Sequence, residues 1–78
     1  MNATIKTANR AISKAGIPLE LVRGEGYHYF IYDVPAQNIF ETESVYVCYT
    51  NTYTPAQWAQ EAQWALKQIK ERRERGYY

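Results

Sequence analysis

Leu19-Glu20-Leu21-Val22-Arg23 is followed by Gly24-Glu25-Gly26, and that by Tyr27-His28-Tyr29-Phe30-Ile31-Tyr32-Asp33. Two runs of β-favouring residues around a glycine-bearing triplet spell a hairpin. A three-residue loop with a glycine is a common way to close one. Strands are therefore predicted over 19–23 and 27–33. Period two puts Tyr27, Tyr29 and Ile31 on one face of the second strand and His28, Phe30 and Tyr32 on the other. Both sets are apolar or aromatic, so alternation alone does not say which one faces inward.

Upstream, Ile5, Ala8, Ile12 and Ala15 recur at helical spacing, with Lys6, Arg10 and Lys14 on other faces. A helix is predicted over 3–15. Asn2 or Thr4 caps its start, Gly16 suits the left-handed residue that ends it, and Pro18 forbids continuation. Downstream, residues 34–43 read as a connection containing Pro35, with Ile39 and Phe40 folding back or extending the next strand. The third strand is predicted over 44–49, centred on Val45-Tyr46-Val47. Thr54-Pro55-Ala56-Gln57 is a capping box with proline at the first helical position, where its missing N–H does no harm. The helix it opens should run to about Arg75 and stop at Gly76. Helix, three antiparallel strands, helix: this order makes an α+β two-layer sandwich. Both helices would cover one face of a three-stranded sheet, leaving the other open to water or a partner. A chain of 78 residues is expected to form a single domain.

Composition excludes several functions. Nine Lys+Arg against eight Asp+Glu leave a net charge of +1, which argues against nucleic-acid binding by bulk electrostatics. One Cys forms no internal disulfide and, with one His, no structural zinc site. The apolar runs are too short to span a membrane. Residues 1–10 lack the apolar stretch of a secretion signal, so a cytoplasmic, reducing setting is expected. The outlier is an aromatic content of 15%, with eight tyrosines. Large aromatic side chains raise the buried area per residue in a domain this small. Tyr and Trp are also enriched at protein interfaces. A small core stretched to its limit and a partner-binding surface both fit, and homodimerisation would serve each.

On a helical wheel Trp58, Ala62, Ala65, Leu66 and Ile69 share one apolar sector, which makes Trp58 a core anchor. Trp64 falls well away, among Gln57, Gln60, Gln68 and Glu71. It reads either as an isolated surface hydrophobe or as an anchor for a partner. In the third strand Val45 and Val47 are the inward pair, leaving Tyr46 and Cys48 outward. Cys48 belongs to no redox or ligand motif, and burial as a small hydrophobe is its expected role. A row of tyrosines, joined by His28 if its set faces out, should line the open sheet face. That row is a ladder of cross-strand pairs stiffening the sheet, or a contact surface for a protein. His28 has no Ser, Cys or carboxylate at catalytic spacing, and Glu20, Glu25, Asp33, Glu41 and Glu43 are scattered. No catalytic residue is assigned, and the chain does not read as an enzyme. Lys67, Lys70, Arg72, Arg73 and Arg75 are interleaved with Glu71 and Glu74, so they read first as a self-paired helix end and second as a nucleic-acid contact. Tyr77-Tyr78 at the C-terminus could pack back on the helix.

Leu21-Val22-Arg23-Gly24-Glu25-Gly26-Tyr27-His28-Tyr29-Phe30, then Ser44-Val45-Tyr46-Val47, then a Thr-initiated helix with Trp58 resemble a group of small uncharacterised proteins carried by bacteriophages and prophages. In that group GxGYxYF, SVYV and W elements recur in the same order, and the resemblance covers residues 8–70. It implies an accessory phage protein that binds and blocks a host machine such as a CRISPR or restriction complex. No catalytic residues carry over. Double-stranded-RNA-binding domains resemble the chain in topology only. Their second helix opens with a lysine-rich phosphate clamp, where this one has Thr54-Pro55-Ala56-Gln57-Trp58. The expected function is a non-enzymatic protein-binding module, an inhibitor of a bacterial defence complex that works by occlusion in the host cytoplasm. Tyr27, Tyr29, Tyr46 and Trp64 are its expected contact residues, with Arg72 and Arg73 peripheral. No cofactor or metal is implied. The alternatives are a nucleic-acid-binding accessory protein, using the basic helix end and stacking tyrosines, and a structural homodimer.

Overall fold

The structure is a computed structural model that describes residues 3–76. Its elements are α1 (Ile5–Lys14), β1 (Glu20–Arg23), β2 (His28–Val34), β3 (Ile39–Val45) and α2 (Pro55–Glu74), with single turns of 3-10 helix at Pro35–Gln37 and Thr50–Thr52. The strands form one antiparallel sheet in the order β1-β2-β3. Both helices pack on one of its faces, giving the α+β, α-β-β-β-α architecture expected from the sequence. Asn2 and the Tyr77-Tyr78 pair lie outside the described residues.

Each helix begins with a reciprocal cap. The Thr4 N–H donates to Thr7 Oγ1 (2.8 Å) while Thr7 N–H donates to Thr4 Oγ1 (3.1 Å). Thr54 and Gln57 repeat the arrangement at 2.9 and 3.2 Å, as their spacing predicts. Capping satisfies amides that the first helical turn cannot pair internally. Gly16, at φ +74°, ends α1 in the left-handed conformation. α1 buries Ala8 and Ile12, and α2 buries Trp58, Ala62, Ala65 and Ile69. The alanines among them let the two helices lie close together. Trp58 is the hub of the core. Tyr53 meets it edge-on at 5.0 Å, Phe30 edge-on at 6.0 Å, and His28 tilted at 5.3 Å.

The third strand lies at Ile39–Val45, not at 44–49. The supposed connection over 34–43 shrinks to one 3-10 turn and Asn38, whose φ of 55° turns the chain straight back. Pairing then runs from Val34↔Ile39 to His28↔Val45. Sequence alternation fails here for a physical reason. Register places Glu41 opposite Tyr32 and Glu43 opposite Phe30, so two carboxylates occupy the row that faces the helices. The Val45-Tyr46-Val47 run ends a strand instead of centring one. Val47 N–H donates to Val45 O (2.9 Å), a three-residue turn with Tyr46 at its apex. The β1–β2 hairpin also differs from expectation. Its last pair is Arg23↔His28, so residues 24–27 form the loop and Tyr27 belongs to it. Gly24 N–H donates to Tyr27 O (2.9 Å). The Tyr27 ring lies so close that a Cβ at Gly24 would sit 2.8 Å from it.

Candidate protein-binding surface

Register assigns the faces that period two left open. Leu21, His28 and Phe30 point inward and are fully buried. Their neighbours Val22, Tyr29 and Ile31 point outward and are only partly covered. The outer rows are Val22–Tyr29–Ser44 and Glu20–Ile31–Thr42, continued by Asp33 opposite Phe40. Tyr27 extends this face beyond the strand, its ring centroid 5.9 Å from that of Tyr29. Phe40 is 64% exposed. The centre of the uncovered face is thus Val22, Tyr29 and Ile31, flanked by Tyr27 and Phe40. Exposed Glu20 and Asp33 stand at the end remote from the hairpin. An antiparallel sheet with one wet face ordinarily shows polar residues there, and here the centre of that face is aromatic and aliphatic.

His28 is not on that face. It is wholly buried on the helix side, where it holds the segment that follows β3. Its Nδ1 lies 2.9 Å from Val47 O, and its Nε2 2.8 Å from Thr50 Oγ1. A carbonyl can only accept, so Nδ1 carries the hydrogen and donates. In the neutral ring Nε2 then accepts the Thr50 hydroxyl proton. Trp58 Nε1–H donates to Thr50 O at 2.8 Å. Two buried rings therefore pin residues 47–50 at both ends of the segment. The pinned backbone presents Cys48 and Tyr49 (67% exposed) to solvent, and Tyr46 (86% exposed) projects just before it. Cys48 is thus an exposed loop residue, contrary to its reading as a buried strand residue. Leaving the sheet at Val45 is what frees it. Its thiol donates a long contact to Gly26 O (3.5 Å).

The six residues expected to make contacts do not form one patch. Tyr27 and Tyr29 share the outer sheet face. Tyr46 stands at the hairpin end of the sheet. Trp64 is 54% exposed on α2, in the helix layer on the other side of the molecule. Arg72 and Arg73 turn toward the sheet. Arg72 Nη1 pairs with Glu43 Oε1 and its Nη2 donates to Thr42 O (3.3 Å), while Arg73 Nη1 donates to Glu41 Oε2 (3.2 Å). The two carboxylates on the inner row of β3 thereby receive cations from the last turns of α2. With the four side chains 14–37% exposed, each pair adds little beyond about 1 kcal/mol. Their value is that neither half-buried carboxylate is left alone.

Asn9 was not singled out by the sequence, yet it controls an edge of the sheet. Its Nδ2–H donates to Leu21 O (3.0 Å) and its Oδ1 accepts from Leu21 N–H (2.7 Å). A side-chain amide on α1 thus does for β1 what a neighbouring strand would do. β1 is also only four residues long and bears exposed Glu20 and Arg23. On β3 the inward Glu41 and Glu43 play the protective part that charges play on natural edge strands. The edges are guarded while the face is open.

Among the described residues no group of three or more His, Cys, Asp or Glu stands together to hold a metal ion. Among the same residues no helix is long and apolar enough to cross a membrane. Comparison of the chain with protein families, curated proteins and solved structures finds no match.

Proposed function

We propose that this chain is a non-enzymatic protein-binding module whose contact surface is the uncovered sheet face around Tyr29. The observation that carries this reading is the gathering of Val22, Tyr27, Tyr29, Ile31 and Phe40 on a face that neither helix covers. Tyrosine suits such a role, because it offers large rigid area with two side-chain torsions to fix. The acidic residues Glu20 and Asp33 at one end favour a partner with an apolar centre and a basic rim. The resemblance to phage accessory proteins directs the reading to a target: a bacterial defence complex, blocked stoichiometrically by occlusion. Binding to nucleic acid is the weaker alternative, since Arg72 and Arg73 are engaged by Glu43 and Glu41 and do not form a row of solvent-facing cations.

The test is capture by the tagged chain from a nuclease-treated bacterial lysate, beside Tyr29→Glu and Trp64→Ala variants whose circular dichroism matches the parent. The expected outcome is a stoichiometric host protein retained by the parent and by Trp64→Ala. Tyr29→Glu should weaken its binding by at least about thirtyfold, the size of a hot-spot loss. Recovery of nucleic acid alone, or of nothing but the chain itself, would refute the reading.

A further inference from the structure

The end of the sandwich that carries the β1–β2 hairpin also holds the start of α1 and the segment leading into α2. Between them lies an open groove of about 410 Å³, lined by residues 3–5, by Arg23 and by residues 49–51. We propose that this groove binds a carboxylate-bearing peptide segment, with Arg23 taking the carboxylate and the Tyr49 ring and Ile5 forming the apolar wall.

Three observations carry the assignment. First, Arg23 is the one charged residue of the lining. Among the described residues no carboxylate pairs with it, whereas Arg72 and Arg73 are both engaged by glutamates of β3. A guanidinium matches a carboxylate as a planar two-pronged donor. Second, the lining mixes the apolar Ala3, Ile5 and Tyr49 with the polar Thr4, Thr50 and Asn51, which suits an amphipathic peptide. A nucleic-acid backbone is instead tracked by several cations in a row, and this groove has one. Third, the wall formed by residues 49–51 is built in advance. His28 and Trp58 fix Thr50 from the core side through its hydroxyl and carbonyl oxygens. Little ordering cost is then left for the moment of binding. The site lies on the helix side of the hairpin end, so it goes beyond the sheet-face reading and does not depend on it.

The experiment is an NMR titration of the ¹⁵N-labelled chain with a blocked Leu-Asp-Leu tripeptide and, separately, with blocked Leu-Asn-Leu. The amides of Ile5, Arg23, Tyr49 and Asn51 should shift, and the acidic peptide should bind about tenfold more tightly than the neutral one. Arg23→Gln should erase that difference, while Lys70→Gln, which removes one positive charge elsewhere, should preserve it. Amide dispersion reports that each variant is folded. Equal binding of the two peptides, or an Arg23→Gln variant that discriminates like the parent, overturns the proposal. So do shifts confined to the amides of Tyr29 and Ile31, and so does a short single-stranded DNA that perturbs the groove amides more than the acidic peptide does. Shifts at Tyr29 and Ile31 would still leave the sheet-face reading standing.

Discussion

His28 shows how much one buried polar side chain can organise. Both ring nitrogens are spent on a segment 19 and 22 residues downstream, and the ring itself lies against Trp58. A buried imidazole without partners would cost more than the same volume of hydrocarbon, so its satisfaction is what makes the position tenable. Thr50→Val keeps the shape of the residue and removes the hydroxyl that Nε2 accepts from. It should destabilise the fold by about 1–3 kcal/mol, the cost of an orphaned buried acceptor, whereas Thr50→Ser should cost far less. Urea denaturation followed by tryptophan fluorescence measures both, and equal stability of Thr50→Val and parent would show that the bond holds nothing. Trp58→Ala removes the hub itself. Its loss of about 3–5 kcal/mol is comparable with everything a core of this size supplies, so that variant should not fold. Trp58 was legible from the wheel because the other buried residues of its own helix, Ala62, Ala65 and Ile69, recur in the same sector. The role of His28 was not, because an aromatic strand gives no hint of which distant backbone its ring will meet.

At the scale of elements, local signals were readable and non-local ones were not. Thr4, Gly16, Thr54, Pro55 and Gly76 mark helix ends by short-range chemistry, and α1 and α2 fall within a residue or two of where those residues put them. β3 was displaced by several residues because its pattern depends on α2. Glu41 and Glu43 look like loop residues until Arg73 and Arg72 are brought over them by the fold. The β1 edge carries a prediction of the same non-local kind. Asn9 closes it from α1, so Asn9→Ala should lose two hydrogen bonds and cost about 1–3 kcal/mol. It should also open the edge to pairing with another chain. Sedimentation velocity across a range of concentrations should show the parent unchanged and Asn9→Ala self-associating. A variant that stays monomeric and as stable as the parent would mean that Asn9 is not an edge guard.

At the scale of the whole molecule, the open sheet face is too small to serve alone. Two strands of seven residues and one of four, at about 3.3 Å per residue and about 4.8 Å apart, give a flat footprint of about 300 Å². A standard interface buries about 800 Å² per partner. A partner seated on Tyr29 must therefore reach past the sheet, and the exposed aromatic group next to the strand ends at the hairpin end is Tyr46. Tyr46→Ala should accordingly weaken binding while leaving the melting temperature within a degree or so of the parent, because a side chain this exposed contributes little to folding. Calorimetric titration with the captured protein, beside a thermal melt, separates the two effects. A variant with unchanged affinity would confine the interface to the sheet. The tyrosines of the outer face were visible in the sequence as a set. Their separation from Trp64 was not, since it depends on which side of β2 meets the helices.

The most direct measurement is oxidative footprinting of the chain, alone and with the partner it captures. The account predicts that Tyr27, Tyr29 and Phe40 are protected in the complex while Trp64 is oxidised at the same rate in both states. Protection of Trp64 with the sheet aromatics left unchanged would contradict it and move the contact surface to the helix layer.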